Sequence, residues 1–517
     1  MMKKLIFSIS MVVAVIVPLM AKQQTTRIDQ NLTIFNDVMR QLDFNYVDTL
    51  NYDKLIQQSI DAMLYYIDPY TVYIPKSEDE QLRIMTEGKY GGVGALIMQR
   101  DSNLYVSEPY EHMPAAEAGL QAGDKFINVD GMDCYGKTVK ELSNKLRGVP
   151  GTTVKVVLER NGEEYSKEIT RQDIHLPAVN LATVCQDTIG YIAFSEFTQN
   201  SSQEFLIELD RLVQTHHINR LIIDLRGNGG GLIDEANKIL GFFLPRGTEV
   251  VSTKGKVEKL CHSYKTTSLP IFPDMPLIVM VDENSASAAE IVAGALQDLS
   301  RATIIGQRTY GKGLVQNLRP IAYGGHLKIT TAKYYLPSGR CIQAIDYAER
   351  QKGNKLHKDT AGGILPDIVL KDSMKIDVCY SLYRENMFFD YATLFHQKHA
   401  EIASAEQFRL TDADIEDFCK FLGEKNFKYE TETGKYFKEL LELAQKEDID
   451  SAMIAELEAL QAKLTFDYKA AIYKHRSEIE KLLGGEIIKR YYYQKGYYTY
   501  MLRFDDELKR AIEEMAK

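Results

Sequence analysis

Apolar residues recur at two different spacings along this chain, and the changes of spacing divide it into four regions. Between residues 24 and 88 they follow one another at intervals of three and four, which predicts amphipathic helices. From 89 to 172, short runs rich in β-branched and aromatic residues alternate with turn sequences, and Asn161-Gly162 predicts a hairpin. This second region is therefore predicted to be a small, mainly β domain.

The third region, residues 173–372, has an α/β pattern. Leu221–Asp224 and Leu277–Val281 are almost continuously apolar, as in a parallel sheet with both faces covered. Each run is followed by a turn rich in glycine or serine and then by a helical pattern. The fourth region, residues 373–517, is predicted to be mainly helical, including a helix from Glu401 to Leu422.

The first residues have the pattern of an export signal. Lys3 and Lys4 precede an apolar run that ends with the small residue Ala21. We therefore predict a signal peptide at 1–21 and an exported protein, periplasmic or otherwise extracytoplasmic. The alternative is an uncleaved segment that keeps the protein associated with the membrane.

Composition and charge exclude several classes of function. With 45% hydrophobic and 26% charged residues, the chain has the profile of a globular protein. A net charge of -10 and the lack of a basic run argue against nucleic acid as a partner. The six cysteines are widely spaced, and they form no metal-ligand pattern with the histidines. We expect buried free thiols, no metal and no organic cofactor.

Two serines lie at a predicted strand-to-helix turn. Ser285 and Ser287 follow the apolar run Leu277–Val281 and precede an apolar helix. A hydroxyl at a helix N-terminus lies beside free backbone N–H groups that can stabilise an oxyanion. The alternative is that one of the two serines simply caps the helix.

Two further segments carry candidate chemistry. Asp224–Gly231 ends in a run of glycines whose N–H groups could line an anion-binding loop, although a flexible surface turn would have the same composition. Lys312 lies between Gly311 and Gly313 in an apolar region. If it is buried, its pKa falls and it can act as a general base, whereas most lysines are solvated surface charges.

The order of these segments resembles the carboxyl-terminal processing peptidases, also called tail-specific proteases, over residues 30–372. The resemblance rests on an ordered series of motifs, namely Ile67-Asp68-Pro69, Gly91–Gly94, Asp224–Gly231, Ser285–Glu290, Tyr310–Gln316, Tyr335–Gly339 and Gly363–Asp367. It implies an α/β multidomain protein with a crotonase/ClpP-like catalytic core at 173–372. A PDZ domain at 89–172 would be inserted between this core and a helical region at 24–88, and a second helical region would follow at 373–517.

The same resemblance implies roles for individual residues. Ser287 would be the nucleophile, Lys312 the general base and Gln316 the residue that orients the lysine. The backbone N–H of Ala288 would form one half of the oxyanion hole.

The second oxyanion donor would come from the glycine-rich loop. Many relatives have proline at the position of Gly229, and proline has no N–H to donate. This leaves Gly230 or Gly231, between which the sequence does not choose.

A PDZ domain binds an incoming C-terminal strand, and N–H groups of a loop receive its carboxylate. The matching loop here consists of Gly91, Gly92, Val93 and Gly94, with Ala95–Ile97 as the adjoining edge strand. The expected partners are therefore proteins or peptides with free C-termini.

The sequence thus predicts a secreted serine endopeptidase that recognises protein C-termini and cleaves with a Ser–Lys dyad. The alternative is a non-proteolytic scaffold that binds C-termini, or a carrier of hydrophobic ligands with the same fold. Further expected partners are other copies of this chain, in a homo-oligomer, or a regulatory adaptor protein.

Overall fold

A computed structural model describes residues 27–78, 88–355, 362–371, 377–428, 432–447, 449–463 and 467–517. The predicted signal peptide at 1–21 lies outside the described residues. The chain forms two compact units, Met1–Tyr73 and Ile74–Lys517.

The first unit is helical, as its apolar spacing predicts. Helix α1 covers 27–45 and α2 covers Tyr52–Ile67, and a short strand, β1 (Val72–Ile74), follows. Helix α2 begins where the Asn51 side chain accepts a hydrogen bond from the backbone N–H of Lys54 at 3.0 Å.

The second unit begins with the predicted β domain. Its elements are β2 (Lys89–Gly92), β3 (Ala95–Arg100), β4 (Asn103–Pro109), α3 (Pro114–Glu117), β5 (Lys125–Val129), β6 (Met132–Asp133), α4 (Val139–Leu146), β7 (Thr153–Arg160), β8 (Glu163–Thr170) and β9 (Gln172–His175). The sheet order is β3-β4-β5-β7-β8, with β6 paired to β5, and β2 pairs separately with β9. The predicted hairpin joins β7 to β8. Strand β3 is an edge strand, and α4 packs beside it.

Two further sheets follow. Their strands are β10 (Val179–Gln186), β11 (Ile189–Phe194), β12 (Arg220–Asp224), β13 (Glu249–Lys254), β14 (Ser263–Lys265), β15 (Leu277–Val281), β16 (Thr303–Gly306), β17 (Leu314–Pro320), β18 (His326–Tyr335) and β19 (Ile368–Val369). The main sheet has the order β10-β11-β12-β15-β16-β19 and is parallel except for β10. The smaller sheet is antiparallel, with β18 between β17 and β13, and β14 beyond β13.

The helices of this part and of the C-terminal part are α5 (Ser201–His216), α6 (Ile233–Gly241), α7 (Ala288–Asp298), α8 (Ala348–Gln351), α9 (Asp377–Arg384), α10 (Met387–Lys398), α11 (Asp412–Glu424), α12 (Glu432–Lys446), α13 (Ser451–Lys463), α14 (Tyr468–Lys474), α15 (Arg476–Met501) and α16 (Asp506–Met515). The predicted helix from Glu401 to Leu422 is wrong in its first half. It begins at Asp412 because Thr411 and Asp414 form a capping box there.

Both faces of the main sheet are covered, as its apolar strands predict. Helices α5, α6 and α7 pack on one face. The other face packs against α16, whose Leu508 and Ala511 are buried there. The last part of the predicted helical region therefore completes the core of the α/β region.

All six cysteines are free thiols, but they are not uniformly buried as expected. Cys134, Cys379 and Cys419 are buried, and the other three are only partly covered. Among the described residues, no helix is both long enough and apolar enough to cross a membrane.

Candidate active site

Ser287 lies where the main sheet passes into helix α7. It precedes the first residue of the helix, Ala288, and is 5% exposed. Its backbone has φ 57° and ψ -113°, a conformation that residues other than glycine rarely adopt and that is found in strained functional turns. The turn places the Ser287 side chain at the positive end of a helix whose first nine residues are buried.

A single carboxylate oxygen joins the two residues predicted to react. Glu290 Oε2 accepts the backbone N–H of Ser287 at 2.9 Å and that of Lys312 at 2.8 Å. The segment that carries Lys312, between β16 and β17, is thereby held against the start of α7. The structure thus brings the two predicted residues into one site.

The other oxygen of Glu290 holds the residues that precede Lys312 in the chain. Oε1 accepts the Thr309 hydroxyl at 2.6 Å and the Gly311 N–H at 2.8 Å. Burial raises the pKa of this fully enclosed carboxyl, and its four hydrogen bonds act in the opposite direction. Glu290 appears in the sequence only as a motif position, although its place three residues after Ser287 is the spacing of a capping box.

The environment of Lys312 favours the neutral amine. Burial, followed by the nearby charge of Lys328, lowers the pKa of Lys312 to about 8, while Glu290 acts in the opposite direction. A lysine with this pKa is partly deprotonated near neutral pH and can accept a proton.

A tyrosine contacts the serine hydroxyl. The side chains of Ser287 and Tyr334 hydrogen bond to each other, and burial raises the pKa of Tyr334 to about 12. Tyr334 is 3% exposed and lies on β18. Sequence reasoning missed it, because a tyrosine in a β-strand carries no signal of its own.

The glycine-rich loop lies directly against the turn that carries Ser287. A Cβ added to Gly230 would lie 2.7 Å from Ser287 Cβ and 2.9 Å from Ala288 N, so a side chain has no room there. The N–H of Gly230 is donated to the Asn228 side chain at 2.8 Å. Of the two glycines predicted as oxyanion donors, Gly231 is therefore the better candidate.

Two hydrogen bonds tie this loop to the serine turn. The Ser285 hydroxyl donates to the Leu225 carbonyl at 2.7 Å, and the Ala286 N–H donates to the Asn228 carbonyl at 2.9 Å. Ser285 is thus bound within the loop structure, and Ser287 is the serine that faces the site.

The sequence is 33% identical over 384 residues to a carboxy-terminal-processing protease of Bartonella bacilliformis, in an alignment that covers 72% of this chain and 84% of that protein. The chain belongs to the carboxy-terminal-processing protease family. A probable CtpA-like serine protease of Staphylococcus aureus is 32% identical over 316 residues, covering 60% of this chain and 62% of that protein.

Family models agree with this assignment. The model for peptidase family S41 matches residues 188–370, which contain the site described above, and this family member is a serine peptidase. Among solved structures, the chain is similar to the photosystem II D1 C-terminal processing protease, with 27% identity and a TM-score of 0.38 over 66% of this chain and 92% of that chain.

Two other models match the flanking regions. A PDZ-domain model matches 105–160, so the β domain of this carboxy-terminal-processing protease is a PDZ domain. A model named "Probable PDZ-protease, C-terminal helical domain" matches 378–515.

In this protease the predicted carboxylate-binding residues are divided between a strand and a turn. Gly91 and Gly92 pair with β9 as part of β2, and Val93 and Gly94 lead into β3. Gly94 has φ 73°, and a Cβ there would lie 2.5 Å from the Met113 side chain. The turn at Val93 and Gly94 therefore lies at the start of the edge strand.

Gln316 lies at a bulge of β17. Its amide nitrogen donates to the Leu314 carbonyl at 3.2 Å and to the Thr330 hydroxyl at 3.4 Å. Its carbonyl oxygen is the atom that could orient a protonated lysine.

Among the described residues, no group of three or more His, Cys, Asp or Glu side chains is arranged to hold a metal ion.

Proposed function

We propose that this chain is an exported, extracytoplasmic serine endopeptidase that captures protein C-termini in its PDZ domain and cleaves with a Ser287–Lys312 dyad. The observation that carries the proposal is the shared oxygen of Glu290, which accepts the backbone N–H of both residues. The lowered pKa of Lys312 supports its role as base. The family assignment favours this function over a non-proteolytic scaffold or carrier.

In the acylation step the Ser287 Oγ attacks the carbonyl carbon of the substrate, and its proton passes to Lys312 Nζ. The oxyanion that forms accepts the N–H groups of Ala288 and Gly231, which need no reorganisation during the reaction. Lys312 then gives its proton to the leaving amine, so the C–N bond breaks and an ester to Ser287 remains.

Deacylation repeats these steps with water. Neutral Lys312 takes a proton from a water molecule while the water oxygen attacks the ester carbon. The same amine then returns the proton to Ser287, and the new carboxyl end is released. Gln316 would hold the lysine on the line between the two oxygens.

Substrate capture would take place between β3 and α4. A C-terminal strand would pair with the edge strand β3, and the turn at Val93 and Gly94 would receive its carboxylate. An internal segment has no terminal carboxylate, so this mode of binding would give a preference for chain ends.

The test is cleavage of an unfolded polypeptide with an apolar C-terminus by the purified full chain. We expect Ser287→Ala and Lys312→Ala each to abolish cleavage, because one removes the attacking oxygen and the other its base. Ser166→Ala, on the exposed side of β8, and Lys333→Ala, a partly exposed lysine of β18, are matched controls that keep the wild-type rate. Cleavage by Ser287→Ala at the wild-type rate would disprove the assignment.

A second arm tests C-terminus recognition. The same substrate with an amidated C-terminus should show a lower kcat/KM, because an amide lacks the charge that the loop N–H groups bind. Equal kcat/KM for both substrates would contradict PDZ capture and leave the dyad assignment intact.

A further inference from the structure

Arg226, at the start of the glycine-rich loop, is bound by carboxylates from two distant parts of the chain. Its guanidinium donates to Asp224, the last residue of β12, at 2.6 Å. It also donates to Asp505 at 2.5 and 3.1 Å and to Glu507 at 2.8 Å. The last two residues belong to the start of α16, in the C-terminal region.

These contacts are largely enclosed. The side chains of Arg226 and Asp505 are 20% and 17% exposed, and that of Glu507 is 28% exposed. Burial acts to lower the pKa of Arg226, but Asp224 and Asp505 outweigh it and the pKa is raised. A charged guanidinium in such a place depends on its partners, because an uncompensated buried charge is strongly unfavourable.

The carboxylates that accept from Arg226 are themselves held in place. Asp505 accepts the backbone N–H of Leu508 at 2.8 Å and so caps α16. Leu508 and Ala511 are buried against the main sheet, beneath the strands that carry the site. The start of α16 is therefore a rigid anchor for Arg226.

From Arg226 the restraint passes to the residues that face Ser287. The next residue, Gly227, donates its N–H to Asp282 at 2.9 Å, and Asp282 belongs to the turn that leads to Ser287. Asn228 then binds that turn through its carbonyl, and its side chain receives the N–H of Gly230. The loop is thus fixed at its first residue by α16 and along its length by the serine turn.

We propose that Asp505 and Glu507 are positioning residues of the peptidase, which hold Arg226 and thereby set the glycine-rich loop against Ser287. This inference rests on the proposed function, since the loop would supply the oxyanion donor Gly231. Without the two carboxylates, Arg226 keeps only Asp224, and the loop loses its anchor to α16. A donor that must reorganise during the reaction stabilises the oxyanion less, so the loss falls on kcat.

The test compares the full-length double variant Asp505→Asn/Glu507→Gln with Asp506→Asn. Asparagine caps a helix as well as aspartate, so the double variant removes charge and preserves the helix start. Asp506 lies between the two residues, and its carboxylate is 88% exposed and binds Lys509 instead of Arg226. We expect kcat of the double variant to fall roughly tenfold or more with KM within about twofold of wild type, and Asp506→Asn to match wild type.

Hydrogen–deuterium exchange gives a readout that does not depend on cleavage. Amides of residues 226–231 should exchange faster in the double variant, while those of β12 and β15 keep their protection. Unchanged exchange in the loop, or a fall in kcat that only follows a loss of folded protein, would overturn the proposal. If the wild-type protein cleaves nothing, the proposed function fails, and the exchange measurement still decides whether α16 holds the loop.

Discussion

Two partly buried lysines interact electrostatically at the site, and burial is the main reason why the pKa of each is lowered. Burial lowers the pKa of both Lys312 and Lys328, and the charge of Lys328 lowers that of Lys312 further. Lys328 lies on β18, opposite Leu318 of β17. The positive charge of Lys328 favours the neutral form of Lys312, because a like charge nearby disfavours ionisation.

We predict that Lys328→Gln moves the pH dependence of kcat/KM. Under the proposed mechanism activity requires neutral Lys312, so it rises with pH through the pKa of this residue, which is about 8. Removing the positive charge of Lys328 raises that pKa, and the rising limb of the profile moves to higher pH. Lys333→Gln, which removes a charge from the same strand, should leave the limb in place. A shift to lower pH in Lys328→Gln, or no shift, would contradict the electrostatic role of Lys328.

The sequence was sufficient to nominate Ser287 and Lys312, because each stands in a motif with its own chemical rationale. It was not sufficient to identify the role of Glu290, because the hydrogen bonds between its carboxylate and the segment that carries Lys312 arise from the tertiary fold. Gly230 and Gly231 could not be separated for a similar reason. Only the hydrogen bond from Gly230 to Asn228 distinguishes the two amides.

At the scale of single elements, helix α15 contains an interruption with a clear backbone signature. Tyr493 has φ 51° and ψ -159°, a region that is essentially reserved for glycine. The helix is regular on either side of it, so the chain bears local strain at this one residue. Tyr493 also lines a cavity of about 240 Å³ between the PDZ domain and the C-terminal helices.

The kink predicts an unusual order of stability. Glycine normally destabilises a helix interior by about 1 kcal/mol relative to alanine. At Tyr493 we expect the reverse, because Tyr493→Gly relieves strain on the order of 1–3 kcal/mol that Tyr493→Ala retains. Thermal unfolding of the two variants measures the difference. Lys495→Gly and Lys495→Ala, at an exposed position two residues away, should show the normal order, and the normal order at Tyr493 would refute the strain.

Other elements show which local signals can be read from a sequence. Helix α4 begins at Val139 because Thr138 and Glu141 form a capping box there, a signal that can be read from their spacing. The start of α11 was missed although Thr411 and Asp414 have the same spacing. An apolar period alone extended that helix too far toward its N-terminus.

At the scale of the whole second unit, the PDZ domain is bound to the C-terminal helices by polar contacts. Arg100 of β3 forms a bidentate ion pair with Asp390 of α10, in which its two terminal nitrogens donate to the two carboxylate oxygens at 2.5 and 3.0 Å. Glu108 of β4 accepts the Gln494 amide at 2.5 Å, and its other oxygen has no hydrogen-bond partner among the described residues. Burial raises the pKa of Glu108, although Lys489 and Gln494 oppose it.

This contact should make stability depend on pH. Because the folded-state pKa of Glu108 is raised, folding favours its protonated form, and this contribution is lost as pH rises through that pKa. Glu108→Gln imitates the protonated form, so we expect it to raise the unfolding temperature at pH 7.5 by about 2–4 °C. The difference should shrink as pH falls toward the ordinary glutamate pKa of 4.5. Glu117→Gln, an exposed carboxylate of α3, should show no such trend, and a constant difference for Glu108→Gln would contradict the prediction.

The sequence predicted the regions of the molecule better than their connections. The apolar strands indicated that the main sheet is covered on both faces, and this is confirmed. The sequence could not predict that α16 packs on one face of this sheet, because the amphipathic pattern of the helix fits any apolar surface. The partners of Arg226 were hidden for the same reason, since Asp505 and Glu507 look like ordinary charges at a helix start.

The packing of α16 also has a consequence for biosynthesis. A ribosome makes every strand of the main sheet before it makes the helix that covers them. Until α16 arrives, part of one face of the sheet is uncovered, and such apolar surface promotes aggregation of incomplete chains. Newly made chains would therefore need a chaperone over this interval. Under the proposed mechanism their glycine-rich loop would still lack its anchor, so an unfinished molecule would digest its neighbours more slowly than the finished protein.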